Sequence, residues 1–201
     1  TVTVADAVAI LPALDYPDRA YFALAFYAGL RAGEISGLRW GDIQPPSVRV
    51  AQAYCSVSHT FTAPKSLAGR RSAPAAAQLF PILDEYRDAC ADTSVEALVF
   101  PPTGNGWRGK ESRARALNAD AVKRRAFRAW ELRTLPTVNL HDARHTYASI
   151  MAASGVSLHE LSGYMGHASI EVTAKRYAHL YEEQRGEAAR KISDAVARAD
   201  T

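Results

Sequence analysis

The sequence predicts an α+β fold that is mainly helical and carries one small three-stranded antiparallel sheet. Three observations predict it. Most of the 201 residues fall into segments whose apolar positions recur at helical spacing. A single stretch, residues 48–62, is rich in Val, Tyr, Thr and Phe and poor in helix formers. No internal repeat, low-complexity tract or linker divides the chain, so residues 1–201 are expected to form one domain.

Taken in order, residues 3–14 open with Thr3 as an N-cap and Asp6 in the first turn, and Pro17 forbids continuation. Residues 19–30 are apolar nearly all round, which marks a helix buried on most faces. Gly29 and Gly33 bracket a turn, and a short helix over 32–38 begins at Arg31. Two strands are expected within 48–62 and a third near Ser72, after a turn over 64–71. Residues 75–91 return to helix, and 98–100 form a buried apolar scrap before a Pro- and Gly-rich loop. Residues 112–133 have helical spacing through Leu117, Val122, Phe127 and Trp130, and Pro136 ends that helix. A helix over 140–153 closes at Gly155. Helices over 157–164 and 169–180 are separated by Met165, Gly166 and His167, and residues 182–200 read as a terminal amphipathic helix.

Apolar residues make up 48% of the chain and charged residues 22%, an ordinary globular balance. No apolar run approaches the roughly 20 residues that span a bilayer, and no signal peptide opens the chain, so no membrane partner is expected. Cys55 and Cys90 offer neither a disulfide framework nor metal-ligand spacing, which makes a reduced cytoplasmic setting the default. The net charge of +3 says little by itself. Its distribution says more. Residues 107–144 hold ten Lys/Arg against four Asp/Glu, while 1–64, 65–106 and 145–201 each carry a net −1. Such a concentration suits a polyanion, although a solvated helix face would carry the same charges.

Three segments carry chemistry. In the first, Arg31 sits where a buried helix turns into a short one, with glycines on either side and Glu34 one turn on to orient its guanidinium. A surface Arg–Glu pair of little energetic weight would look the same. In the second, His141 and Arg144 are three apart and share a helix face. An arginine offers a planar fork for two phosphate oxygens, and an imidazole beside it can bond a third or move a proton. Taken alone, that pair is common by chance. In the third, His167 precedes a helix that carries Tyr177 two turns in. A tyrosine there is ordinarily core packing, and its pKa of about 10 makes it a poor nucleophile without nearby positive charge.

Together the three segments resemble one family, the tyrosine recombinases and phage integrases, over nearly the whole chain and in the right order. Arg31, Glu34 and the pattern from Leu38 to Ile43 resemble the family's first box. His141 and Arg144, followed by His145 and Thr146, resemble its His-x-x-Arg box. Met165, Gly166 and His167 resemble its Leu-Gly-His, and Thr173, Tyr177 and His179 resemble the segment that bears the nucleophile. The family also carries a lysine on a β-hairpin turn, ahead of an Arg and a Pro. Lys65 fits that description, with Pro64 and Ser66 as departures from the usual pattern, and Lys110 is the nearest competitor.

The resemblance implies the family's helical DNA breaking-rejoining fold, with residues 1–201 as the catalytic domain and the N-terminal DNA-clamping domain absent from this stretch. It implies that the Tyr177 hydroxyl attacks a DNA phosphodiester, giving a 3′-phosphotyrosyl bond and a free 5′-hydroxyl, without metal, ATP or other cofactor. Arg31 and Arg144 would clamp the non-bridging oxygens with help from His167. His141 would take the Tyr177 proton, Lys65 would protonate the leaving oxygen, and Glu34 would hold the site together. The implied partners are double-stranded DNA, further copies of the chain in a synaptic tetramer, and accessory DNA-bending proteins, all at the nucleoid. Within the basic segment, Arg113, Arg115, Lys123, Arg124, Arg125 and Arg128 are the candidate DNA contacts, mostly directed at phosphates. The terminal helix would pack either on a neighbouring protomer or back on its own domain. The alternatives are a nicking-resealing enzyme, a non-catalytic DNA-binding relative of the same fold, and a helical interaction domain with a chance basic patch.

Overall fold

The computed structural model describes residues 3–63, 70–102 and 116–199. At its centre lies α2 (Asp18–Ala28), in which Tyr21, Phe22, Leu24 and Phe26 are all buried. A helix with apolar residues on every face needs neighbours on every face. Here α4 (Leu79–Asp88), α5 (Ala119–Glu131) and α6 (Leu140–Ala153) pack around it, with α1 (Val4–Ile10) leading in through a 3-10 turn at Leu11–Ala13. Pro12 explains why the predicted helix over 3–14 tightens there, since Pro removes an α-helical donor but fits the first turn of a 3-10 segment. Trp130 of α5 is fully buried edge-on to Phe22, with ring centroids 5.0 Å apart, and its indole N–H donates to the Ile10 carbonyl at 2.8 Å.

A three-stranded antiparallel sheet is present as expected, with a strand at Ser72, but one of its members comes from residues ahead of the expected stretch. Its order is β1 (Ile43–Gln44), β2 (Ser47–Val50), β5 (Arg71–Pro74), with Val48 opposite both Ile43 and Ala73. Residues 53–62 instead form their own hairpin, β3 (Ala53–Cys55) with β4 (Thr60–Thr62). The Pro45–Pro46 turn hides β1 from pattern reading, because a proline pair reads as a strand breaker. Residues 98–100 lie alongside the 3-10 turn at Trp40–Asp42, through an Arg39–Leu98 bridge and a bond from Val99 N–H to the Leu38 carbonyl.

The C-terminal part packs as a second core, in which Tyr147 and Ala148 of α6 meet Leu161 and Met165 of α7 (Leu158–Met165) and Tyr177 of α8 (Ile170–Ala199). The two helices expected over 169–180 and 182–200 are one, because neither Pro nor Gly stands between Leu180 and Glu182 to break it. Tyr181 of α8 ties the helix to the domain, its hydroxyl donating to the Val156 carbonyl at 2.7 Å. Beyond it the described side chains are exposed, Ile192 and Val196 among them. Among the described residues no helix is long and apolar enough to cross a membrane.

Candidate active site

Two helix ends and one carboxylate organise the site. The last carbonyls of a helix have no partner within it and carry partial negative charge. Those of α7 are taken by three arginines. Arg71 Nε donates to Tyr164 O at 2.6 Å, Arg144 Nη2 to Met165 O, and Arg31 Nη2 to Gly166 O at 2.9 Å. Arg144 Nη1 also reaches Gly29 O, at the end of α2. Both turn glycines are required. Gly29 and Gly166 have φ of +64° and +60°, and a Cβ would lie 2.3 Å from the Tyr147 ring in one case and 2.6 Å from Arg71 Nη1 in the other.

Glu34, buried on α3 (Ala32–Ser36), binds the arginines from beneath. It accepts two bonds from Arg71 at 2.9 and 2.8 Å, one from Arg31 Nη1 at 2.9 Å and one from Arg31 N–H at 2.8 Å, while Arg144 Nη1 lies 3.7 Å away. Burial alone would raise the carboxyl pKa. The bonds and charge of Arg71, the Arg31 N–H and the Arg144 charge outweigh it and hold Glu34 at about 2. Three guanidiniums against one carboxylate leave a local surplus of positive charge. Burial, and the Arg31 and Arg71 charges, push Arg144 down to about 9 against the pull of Glu34, so it remains a cation at neutral pH.

The histidines form a second layer. His167 Nδ1 is 2.7 Å from the hydroxyl of the fully buried Thr173. Burial and the surrounding arginines push its ring down to about 4. The Tyr177 hydroxyl is hydrogen-bonded to His145 Nδ1, and His145 Nε2 is 2.7 Å from Nε2 of the exposed His141. Burial, His141 and Arg176 push His145 to about 4 as well. Burial raises the Tyr177 pKa, opposed by Arg176 and Arg144.

These groups surround a cavity of about 770 Å³ lined by Arg31, His141, Arg144, His145, His167, Lys175 and Arg176, with Val172 at its side. Four predicted residues, Arg31, His141, Arg144 and His167, therefore converge on one space. Tyr177 is only 3% exposed and lies just behind His145 rather than on the wall. His141 does not touch Tyr177 directly: the ring at the tyrosine hydroxyl is His145, with His141 one ring further out. Sequence reasoning also passed over Arg71, Lys175 and Arg176 as site residues. His145 could have been found, since it lies one helical turn from His141. Lys175 and Arg176 directly precede Tyr177.

Lys65, its competitor Lys110, and Arg113 and Arg115 lie outside the described residues. Lys123, Arg124 and Arg128 are exposed around a shallow recess with Phe127, flanked by Asp120 and Glu131. Arg125 is committed elsewhere, since its Nε and Nη2 bond the buried Asp18 carboxylate at 2.8 and 2.5 Å.

The family model described as the phage integrase family matches residues 2–184. The chain belongs to the phage integrase family. It is 30% identical over 174 residues to the prophage phiRv2 integrase of Mycobacterium tuberculosis, a match covering 85% of this chain and 44% of that protein. It is 27% identical over 191 residues to a XerC-like tyrosine recombinase of Caldanaerobacter subterraneus subsp. tengcongensis, covering 88% and 49%. This integrase-family chain thus spans about half the length of the curated relatives it matches. Its fold is that of the Tn1549 transposon integrase in complex with circular intermediate DNA, with a TM-score of 0.71 at 20% identity over 94% of this chain and 66% of the other. The XerA recombinase shares the fold, with a TM-score of 0.62 at 19% identity over 91% and 62%. The mainly helical architecture with a small antiparallel sheet is therefore the fold of these recombinases.

Proposed function

We propose that this chain is the catalytic domain of a site-specific tyrosine recombinase that cuts and rejoins double-stranded DNA through Tyr177. The observation that carries the proposal is the gathering of Arg31, Arg144 and His167 around one cavity, with a tyrosine hydroxyl hydrogen-bonded to a histidine of its wall. In-line attack by the Tyr177 oxygen on a phosphodiester forms a phosphotyrosyl ester and breaks the bond to the 5′-oxygen, which leaves as a hydroxyl. The 5′-hydroxyl of another strand reverses the step, so the energy of the ester is conserved. The developing charge on the non-bridging oxygens is met by Arg31 and by Arg144, which has N–H donors beyond the two engaged with carbonyls. His167 supplies a further bond when the Thr173 hydroxyl donates to Nδ1 and leaves the ring proton on Nε2. Glu34 and Arg71 position the two arginines. Lys65, outside the described residues, is assigned the proton for the leaving oxygen on the resemblance of its segment to the family's lysine-bearing turn.

Double-stranded DNA as partner draws support from the surplus of positive charge and from relatives of the same fold whose structures were solved on DNA, XerH on a palindromic difH substrate among them. Lys123, Arg124 and Arg128 are proposed as phosphate contacts. The exposed part of α8 is proposed to meet another copy of the chain in a synaptic tetramer, with DNA-bending proteins assisting at the nucleoid.

The test is covalent capture. The protein is incubated with a pool of nicked duplexes of randomised sequence, whose short strand diffuses away on cleavage, and the products run on a denaturing gel. A protein–DNA adduct that is lost in Tyr177→Phe is expected. Duplex binding with no adduct under any condition would overturn the proposal in favour of a non-catalytic DNA-binding member of the family.

A further inference from the structure

We propose that His145 is the immediate proton acceptor for Tyr177 and passes the proton outward to His141, so that two histidines act as a relay from the buried nucleophile to solvent. The inference rests on the reading of Tyr177 as nucleophile and adds a catalytic residue to it. Its basis is a chain of three groups. The Tyr177 hydroxyl bonds His145 Nδ1, His145 Nε2 lies 2.7 Å from His141 Nε2, and His141 is exposed.

The direction of the chain follows from hydrogen-bond accounting. Tyr177 is 3% exposed, and among the described residues its hydroxyl has no partner other than His145. A buried hydroxyl proton needs an acceptor, so Tyr177 donates and His145 Nδ1 accepts. The neutral His145 ring then carries its single proton on Nε2, which donates to His141 Nε2, and His141 holds its own proton on Nδ1. Each link has one proton and one acceptor, which is the arrangement a relay requires. A purely structural bond to a buried tyrosine would need one acceptor and no exit.

The groups facing His145 are His141, Asp142 and Arg144 on its own helix and Arg176 and Tyr177 on α8. Burial and these cations keep the ring neutral, and therefore able to accept, at neutral pH. His145 also lines the cavity, so a phosphate held there by Arg31 and Arg144 would bring negative charge against the ring and make it a stronger base as the substrate binds. During attack the O–P bond forms, the P–O5′ bond breaks, the Tyr177 proton moves to His145 Nδ1, and the Nε2 proton moves to His141, which releases its Nδ1 proton to water. The leaving 5′-oxygen takes its proton separately, from Lys65 in the reading above.

The test uses the chain and a duplex recovered from the nicked pool. In His145→Gln the amide oxygen can still accept from Tyr177 but cannot take its proton. Adduct formation is expected to slow by about 10²-fold or more, with duplex affinity and Tm near the parent's. The remaining rate should rise with pH as tyrosinate becomes available. The loss should persist on a duplex with a 5′-bridging sulfur, whose leaving group needs no acid. In His145→Ala, added imidazole should restore part of the rate. A His145→Gln rate within threefold of the parent's would overturn the relay while leaving Tyr177 as nucleophile. If that variant fails to fold, absence of imidazole rescue in His145→Ala overturns it. A parent protein giving no Tyr177-dependent adduct would remove both readings, and is a distinct result.

Discussion

Glu34 is the residue on which the site's stability turns. It faces Arg71 and Arg144, whose side chains are 6% and 4% exposed, so removing it strands two buried cations. Breaking a buried ion pair from one side costs about 3–5 kcal/mol, far more than the pair itself contributes. Glu34→Ala is therefore expected to lower unfolding stability by that amount in denaturant titration, whereas an exposed pair such as Arg39–Glu96 should cost under about 1 kcal/mol. The same residue sets an acid limit. Its folded pKa of about 2 lies below the ordinary 4.5, so its contribution is complete above 4.5 and lost as the pH falls towards 2. His145 and His167, at about 4 against an ordinary 6.5, contribute above 6.5 and lose that contribution as the pH falls towards 4. Denaturant midpoints measured from pH 7 to pH 2 should decline in two overlapping stages, and Glu34→Gln should remove the more acidic one.

At the scale of elements, α5 separates two kinds of arginine that look alike in the sequence. Lys123, Arg124 and Arg128 are exposed on one face, while Arg125 grips Asp18 at the start of α2. Lys123→Ala or Arg124→Ala is expected to weaken duplex binding across sequences and to reduce the slope of log K against log[salt] by about 1, with stability unchanged. Arg125→Ala should do the reverse. It leaves the Asp18 carboxylate, 7% exposed, without its partner, and so lowers Tm while the salt slope moves little. Electrostatic patterning marks the helix as basic, but nothing in the run from Lys123 to Arg128 says which cation is tied to a carboxylate. That depends on where a carboxylate 107 residues away comes to rest.

The whole molecule sets how far the chemistry can go alone. The chain spans about half of its curated relatives. Residues 1–201 taken by themselves are proposed to form the phosphotyrosyl bond but to recombine poorly. A plasmid with paired sites should show covalent capture without recombined product. Efficient recombination by this chain alone would overturn that division of labour.

Most residues of the candidate site were legible along the chain because they stand out by residue type and local spacing. His141 and Arg144 share a helix face, Gly166 ends a helix just before His167, and Tyr177 follows within two turns of the next. The helical character, the presence of a small sheet and the buried nature of α2 were legible for the same reason, since they are written in periodicity. Tertiary packing decided what periodicity cannot carry. It joined β1 to β2 across a proline pair, brought Arg71 to Glu34 across 37 residues, and set α6 against α8 so that His145, rather than His141, meets a hydroxyl 32 residues away. Such contacts leave no local trace in the sequence, because their energy comes from burial and hydrogen bonding between segments that meet only in the folded chain.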